Sequence, residues 1–114
     1  MNIKNKNLLI NKCYLNGAWV SSDKKIKVIN PATGELIVEV PDFGKKETAN
    51  AIDAAELAFK AWSKFTAHER SKILKKWYDL VIDNQDDLAT IMTAEQGKPL
   101  SEAKGEIIYA ANFI

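Results

Sequence analysis

The sequence predicts an α+β chain in which β-hairpins lead and four helices follow. Three observations carry that prediction. Short apolar runs within residues 7–41 are interrupted by turn residues, first Asn16-Gly17 and then Pro31-Ala32-Thr33-Gly34. From Lys45 onward the apolar spacing changes from two residues to three and four, which is the change from strand to helix. Near the end, Gly97 can take the left-handed conformation that closes a helix, and Pro99 suits the first turn of a new one.

The elements follow in order. Asn16-Gly17 sits between two short apolar runs and fits a two-residue type I′ turn, where both central residues need positive φ. Residues 21–25 are polar and turn-like. Lys27 to Asn30 reads as a strand and Glu35 to Val40 as its partner, with Asn30 and Pro31 opening the turn and Pro41 ending the hairpin. The first helix, from Lys45, has Gly44 as N-cap and an apolar face of Ala51, Ile52, Ala55, Ala58, Phe59 and Trp62.

Thr66-Ala67-His68-Glu69 is a capping box for the second helix, whose stripe is Ile73, Leu74, Trp77, Leu80 and Val81. Asn84 is expected to cap the third, with Asp86 and Asp87 against the positive end of its dipole and Leu88, Ile91 and Met92 as its stripe. The fourth runs from Pro99 and carries Leu100, Ala103, Ile107, Ala110, Ala111 and Ile114. It shows no stop signal, so the expectation is a chain cut within its last helix, a piece of something longer.

Composition narrows the function classes. The 114 residues make room for one small domain, and 46% apolar with 27% charged residues is ordinary globular composition. Sixteen basic and 15 acidic residues, a net charge of +1, give no electrostatic case for nucleic acid or an anionic membrane. One cysteine rules out an internal disulfide, and one cysteine with one histidine cannot build a structural zinc site. The opening residues hold too short an apolar core for a signal peptide, and no run approaches a membrane span, so the expected compartment is cytoplasmic.

Few residues invite catalysis. Cys13 lies in a predicted strand with no histidine near it in sequence, so it reads as a packing residue rather than a nucleophile. His68 falls inside the capping box, where it faces solvent. The glycines, at 17, 34, 44, 97 and 105, form neither a dinucleotide fingerprint nor a P-loop. No catalytic or cofactor-binding residue is therefore expected in this chain.

A resemblance says more. Leu15-Asn16-Gly17-Ala18-Trp19, Val28-Ile29-Asn30-Pro31-Ala32-Thr33-Gly34-Glu35, Ala51-Ile52-Asp53-Ala54-Ala55 and Ala61-Trp62 occur in an order and spacing similar to the opening of NAD(P)-dependent aldehyde dehydrogenases. The strongest element is Ala89-Thr90-Ile91-Met92-Thr93-Ala94-Glu95-Gln96-Gly97-Lys98-Pro99, which resembles that family's helix corner, most of all in the succinate-semialdehyde dehydrogenase branch.

The resemblance implies that residues 1–114 are the N-terminal part of an α/β, Rossmann-like cofactor-binding domain, with hairpins over 7–41 and helices over 45–114. It implies oxidation of an aldehyde to a carboxylate: a thiolate adds to the aldehyde, hydride passes to NAD or NADP, and a glutamate-activated water hydrolyses the thioester. The groups for that chemistry are expected beyond Ile114, so the chain alone is expected to be inactive and to bind no cofactor.

Three further expectations come from the family. The Glu95 carboxylate and the Ile29 backbone carbonyl match two ligands of a structural cation. Gly105, Tyr109 and Phe113 match the wall of the tunnel that admits the aldehyde. Arg70 stands where the family places an arginine and is expected to form a structural ion pair or carbonyl clamp. The expected partners are the remainder of the dehydrogenase and further copies of it in a homo-oligomer. The competing readings are a stand-alone helical interaction module and a segment of another branch, such as glutarate-semialdehyde dehydrogenase.

Overall fold

The structure, a computed structural model, describes all 114 residues. After a single 3-10 turn at Lys6–Leu8 come β1 (Cys13–Leu15), β2 (Ala18–Val20), β3 (Lys25–Ile29) and β4 (Leu36–Pro41). Four helices follow: α1 (Lys45–Trp62), α2 (Ala67–Asp83), α3 (Gln85–Gln96) and α4 (Leu100–Ala111). The strands form two separate two-stranded antiparallel sheets, so the hairpins-then-helices order is as the sequence predicts.

Asn16 and Gly17 take φ of 47° and 79° and bring Leu15 opposite Ala18, the tight turn that asparagine followed by glycine favours. The second hairpin extends further than expected at its open end and stops one residue short at its turn, where Ile29 faces Leu36. Lys25 pairs with Pro41, and beyond that pair the Asp42 amide donates to the Lys24 carbonyl at 2.8 Å while the two side chains form an ion pair. Its turn is closed by Asn30 N–H on the Glu35 carbonyl at 2.9 Å and by Gly34 N–H on the Asn30 carbonyl at 2.8 Å. The Asn30 side chain also accepts from the Ala32 amide at 2.9 Å.

The helix starts divide. At Gly44, which has no side chain, only half a capping box exists: its N–H donates to the Glu47 carboxylate at 3.0 Å. At Thr66 both halves form, with Glu69 N–H on the Thr66 hydroxyl at 3.2 Å and Thr66 N–H on the Glu69 carboxylate at 2.8 Å. Asn84 departs from expectation. It stands between α2 and α3, and its amide donates back to the Leu80 carbonyl at 2.8 Å, so it closes α2 and gives α3 no side-chain cap.

The core is thin. It lies where α2, α3 and α4 converge: Ala89, Ala103 and Ile107 are buried, with Val81, Leu88 and Met92 packed against them. Alanine dominates because close helix approach leaves no room for larger side chains. Most of the predicted apolar stripes are not covered. Ile52 and Phe59 on α1 and Ile73, Trp77 and Leu80 on α2 are exposed, as are Leu100 and Ala110 on α4. The α1 helix packs on no other element extensively.

The radius of gyration, 16.5 Å, exceeds the roughly 13 Å of a compact domain of this length. The accessible surface is 8596 Å², against about 6,200 Å² for a compact monomer of this mass.

Candidate functional site

The best-defined tertiary feature is the corner between α3 and α4. Gly97 takes φ of 74°, and its N–H donates to the Thr93 carbonyl at 2.8 Å. Pro99 occupies the cap position, one residue ahead of α4 rather than in its first turn, and its carbonyl accepts from Ala103 N–H at 2.9 Å. The Lys98 ammonium reaches the Glu106 carboxylate at 2.7 Å and ties the corner to α4. The Thr93 hydroxyl is buried here without a hydrogen-bond partner.

The corner rests on the turn of the second hairpin. A Cβ on Gly97 would come within 3.3 Å of Pro31 Cγ. Glycine is needed there for its left-handed φ and again for the close approach. This contact joins the two segments that carry Ile29 and Glu95. Ile29 ends β3, opposite Leu36 and beside an irregularity in the ladder, and Glu95 is exposed and enters none of the four ion pairs. No group of three or more histidine, cysteine, aspartate or glutamate side chains converges anywhere on the chain. The Glu95 carboxylate and the Ile29 carbonyl offer at most three oxygens, fewer than the six or more of a calcium-type shell, so the remaining ligands of the expected site would come from outside these residues.

Gly105 and Tyr109 share a face of α4 as their spacing implies, but the helix ends at Ala111, short of the Phe113 and Ile114 that the expected pattern included. Gly105 and Tyr109 line one shallow depression of about 470 Å³ with Glu102 and Glu106. Phe113, in the turn after α4, meets the Tyr109 ring edge-on with centroids 4.9 Å apart. Both aromatics are exposed, and the space beside Gly105 is open.

The remaining singled-out residues stay apart from one another. Cys13 is free and exposed in β1, at the rim of an 880 Å³ hollow between the first hairpin and the start of α1, which includes Asp23, Lys25 and Glu47 but no histidine. His68 is exposed at the start of α2. Arg70 was expected in an ion pair or carbonyl clamp, yet it joins none of the four ion pairs. It lines a 600 Å³ groove with Trp62, Leu74, Tyr78 and Asn112.

Asp87 is the residue whose role sequence reading missed. It is buried, and its two oxygens accept from Asn5 N–H at 2.7 Å and Lys4 N–H at 3.0 Å. Those amides, Asn5 first and Lys4 next, hold its carboxyl below the usual carboxylate range. Asn5 also donates its side-chain amide to Asn84 at 3.3 Å. The signal was half present: an aspartate in a helix's first turn suits the dipole, but nothing local names a partner 82 residues away.

Two antiparallel hairpins and a helix corner, brought together at Pro31 and Gly97, make up the arrangement of this chain. The chain belongs to the aldehyde dehydrogenase family, whose pattern it matches over residues 19–114. It is 55% identical to a glutarate-semialdehyde dehydrogenase of Pseudomonas aeruginosa, an alignment covering all of this chain and 24% of that protein. It is 49% identical to the NADP(+) succinate-semialdehyde dehydrogenase of Escherichia coli, again over 100% of this chain and 24% of the relative. The crystal structure of a succinate-semialdehyde dehydrogenase from Burkholderia pseudomallei superimposes with a TM-score of 0.94 at 51% identity, over 99% of this chain and 24% of that one. The chain thus spans about a quarter of the length of these relatives. No helix is long and apolar enough to cross a membrane.

Proposed function

We propose that this chain is the N-terminal structural layer of an NAD(P)-dependent semialdehyde dehydrogenase that oxidises succinate semialdehyde to succinate. The observation that carries this reading is the end-to-end likeness to semialdehyde dehydrogenases, the corner and hairpins included. Glutarate semialdehyde is the second reading, favoured by the somewhat higher identity, 55%, to an enzyme named for it. Both substrates pair an aldehyde with a terminal carboxylate.

In this reading the chain's work is positional. The Gly105–Tyr109–Phe113 face borders the path of the aldehyde, and Glu95 with the Ile29 carbonyl contributes part of a structural cation site completed from elsewhere. The nicotinamide cofactor supplies the hydride acceptor, on groups outside these residues.

The test is a chimera in which residues 1–114 replace the matching stretch of the E. coli succinate-semialdehyde dehydrogenase. Reduction of NADP in the presence of each semialdehyde is expected within about tenfold of the parent enzyme, a barrier change under about 1.4 kcal/mol. The chain alone should show no turnover. A soluble, folded chimera without activity on either substrate would overturn the reading.

A further inference from the structure

We propose that Asn16 is a site of spontaneous covalent modification. The first hairpin opens independently of the rest of the chain, and the Gly17 backbone nitrogen then closes on the Asn16 carboxamide, converting it to aspartate or isoaspartate. This chemistry stands apart from the dehydrogenase reading and needs nothing but solvent water.

The step balances within two residues. The Gly17 nitrogen forms a bond to Cγ of Asn16 as the bond from Cγ to the side-chain nitrogen breaks. The Gly17 proton leaves with that nitrogen as ammonia, and a five-membered imide remains. Water then adds to one of its two carbonyls. Opening at the side-chain carbonyl gives aspartate; opening at the main-chain carbonyl gives isoaspartate, in which the chain runs through Cγ. Nothing is oxidised or reduced.

Of the nine asparagines, Asn16 alone precedes a glycine. Glycine has no Cβ to obstruct the attack, and even an added Cβ at Gly17 would meet nothing within 4 Å. Both residues are exposed, and the Gly17 N–H donates no turn hydrogen bond. The other asparagines are worse placed. Asn30 precedes Pro31, whose nitrogen carries no proton. Asn5 donates to Asn84, which itself donates to the Leu80 carbonyl, so both carboxamides are held. Asn50 lies in the body of α1, where the next N–H belongs to the helix ladder.

The attack also needs the backbone at Asn16 to turn, and this hairpin yields readily. β1 and β2 have three residues each, form a sheet of their own and pack extensively on no helix. An isolated two-stranded hairpin is marginally stable, and such segments open far below the cost of global unfolding. Opening also relieves the left-handed φ of 47° at Asn16. Isoaspartate makes the change lasting. It lengthens the backbone of a two-residue turn that has no slack, and so parts Tyr14 from Trp19, whose rings now meet edge-on at 5.1 Å.

The test incubates the folded chain in mildly alkaline buffer and follows its proteolytic peptides by mass and retention. The Asn16 peptide should exchange amide for acid and split into aspartate and isoaspartate forms. It should do so at least about tenfold faster than any other asparagine peptide, a barrier difference of about 1.4 kcal/mol. Isoelectric focusing should show the formal net charge falling from +1 to zero. Conversion at Asn16 no faster than elsewhere overturns the proposal.

Val20→Cys tests the opening. Cys13 stands opposite Val20 in the ladder, at a separation a disulfide spans. With that bond closed, as a free-thiol count verifies, conversion should slow by at least about tenfold, and reductant should restore it. The reduced form of the same variant is the folding control. A closed clamp that leaves the rate unchanged refutes the opening route.

Discussion

Gly97→Ala and Gly105→Ala add the same methyl group to the same chain and should move its stability in opposite directions. At Gly97 the backbone sits at φ of 74°, which costs an L-residue about 1–2 kcal/mol. The new Cβ would also stand 3.3 Å from Pro31 Cγ, so the hairpin turn must yield by a few tenths of an ångström. Against this, alanine narrows the unfolded ensemble and returns about 0.4–1 kcal/mol. The net expectation is a loss of about 1 kcal/mol, more if Pro31 is held in place. Gly105 lies in the body of α4 with no atom within 4 Å of the added carbon. Alanine there should gain about 0.5–1 kcal/mol.

Urea unfolding followed by far-ultraviolet circular dichroism reads both changes, and a common slope would license comparison of midpoints. The two variants should differ by about 2 kcal/mol. Pro31→Ala in the Gly97→Ala background separates the causes: it should restore the part due to the contact and leave the part due to φ. A Gly97→Ala chain as stable as the parent, or a Gly105→Ala chain less stable, would refute the reasoning.

Two further outcomes follow from the corner and the tail. The folded-state pKa of Asp87 lies below its unfolded value, so the carboxylate's hold on the tail is present above the ordinary carboxylate range and is lost as pH falls through the depressed value. Hydrogen exchange, corrected for intrinsic rate, should show the Lys4 and Asn5 amides protected at neutral pH, released in acid, and released at every pH in Asp87→Ala; protection that survives the substitution would contradict the tether. Thr93→Val removes a buried hydroxyl that has no partner and keeps the side-chain shape, so it should stabilise the chain by about 1 kcal/mol in the same urea assay. A loss of stability there would mean that the hydroxyl is bonded after all.

What could be read from the sequence was what two to five neighbouring residues decide together. Asn16-Gly17, the Thr66–Glu69 box and the left-handed Gly97 are local conformational choices, and the chain makes them as written. What could not be read was choice among distant partners. Asn84 has a side chain that can cap forward or close backward, and only the arrangement of α2, α3 and the tail selects the second. The stripes show which side of a helix is apolar, but coverage depends on what stands opposite. The strongest large-residue stripe, Ile73-Trp77-Leu80, is therefore exposed, while Ala89 and Ala103, which carry little hydrophobic signal, are fully buried. The same logic governs the candidate site. Ile29 and Glu95 lie far apart in the chain, and the family likeness alone paired them. The close approach of Gly97 to Pro31 brings the two segments that carry them together, because it sets the hairpin turn against the helix corner. The chain thus sets its own corner and leaves its apolar stripes bare, and local sequence signals reach the first and not the second.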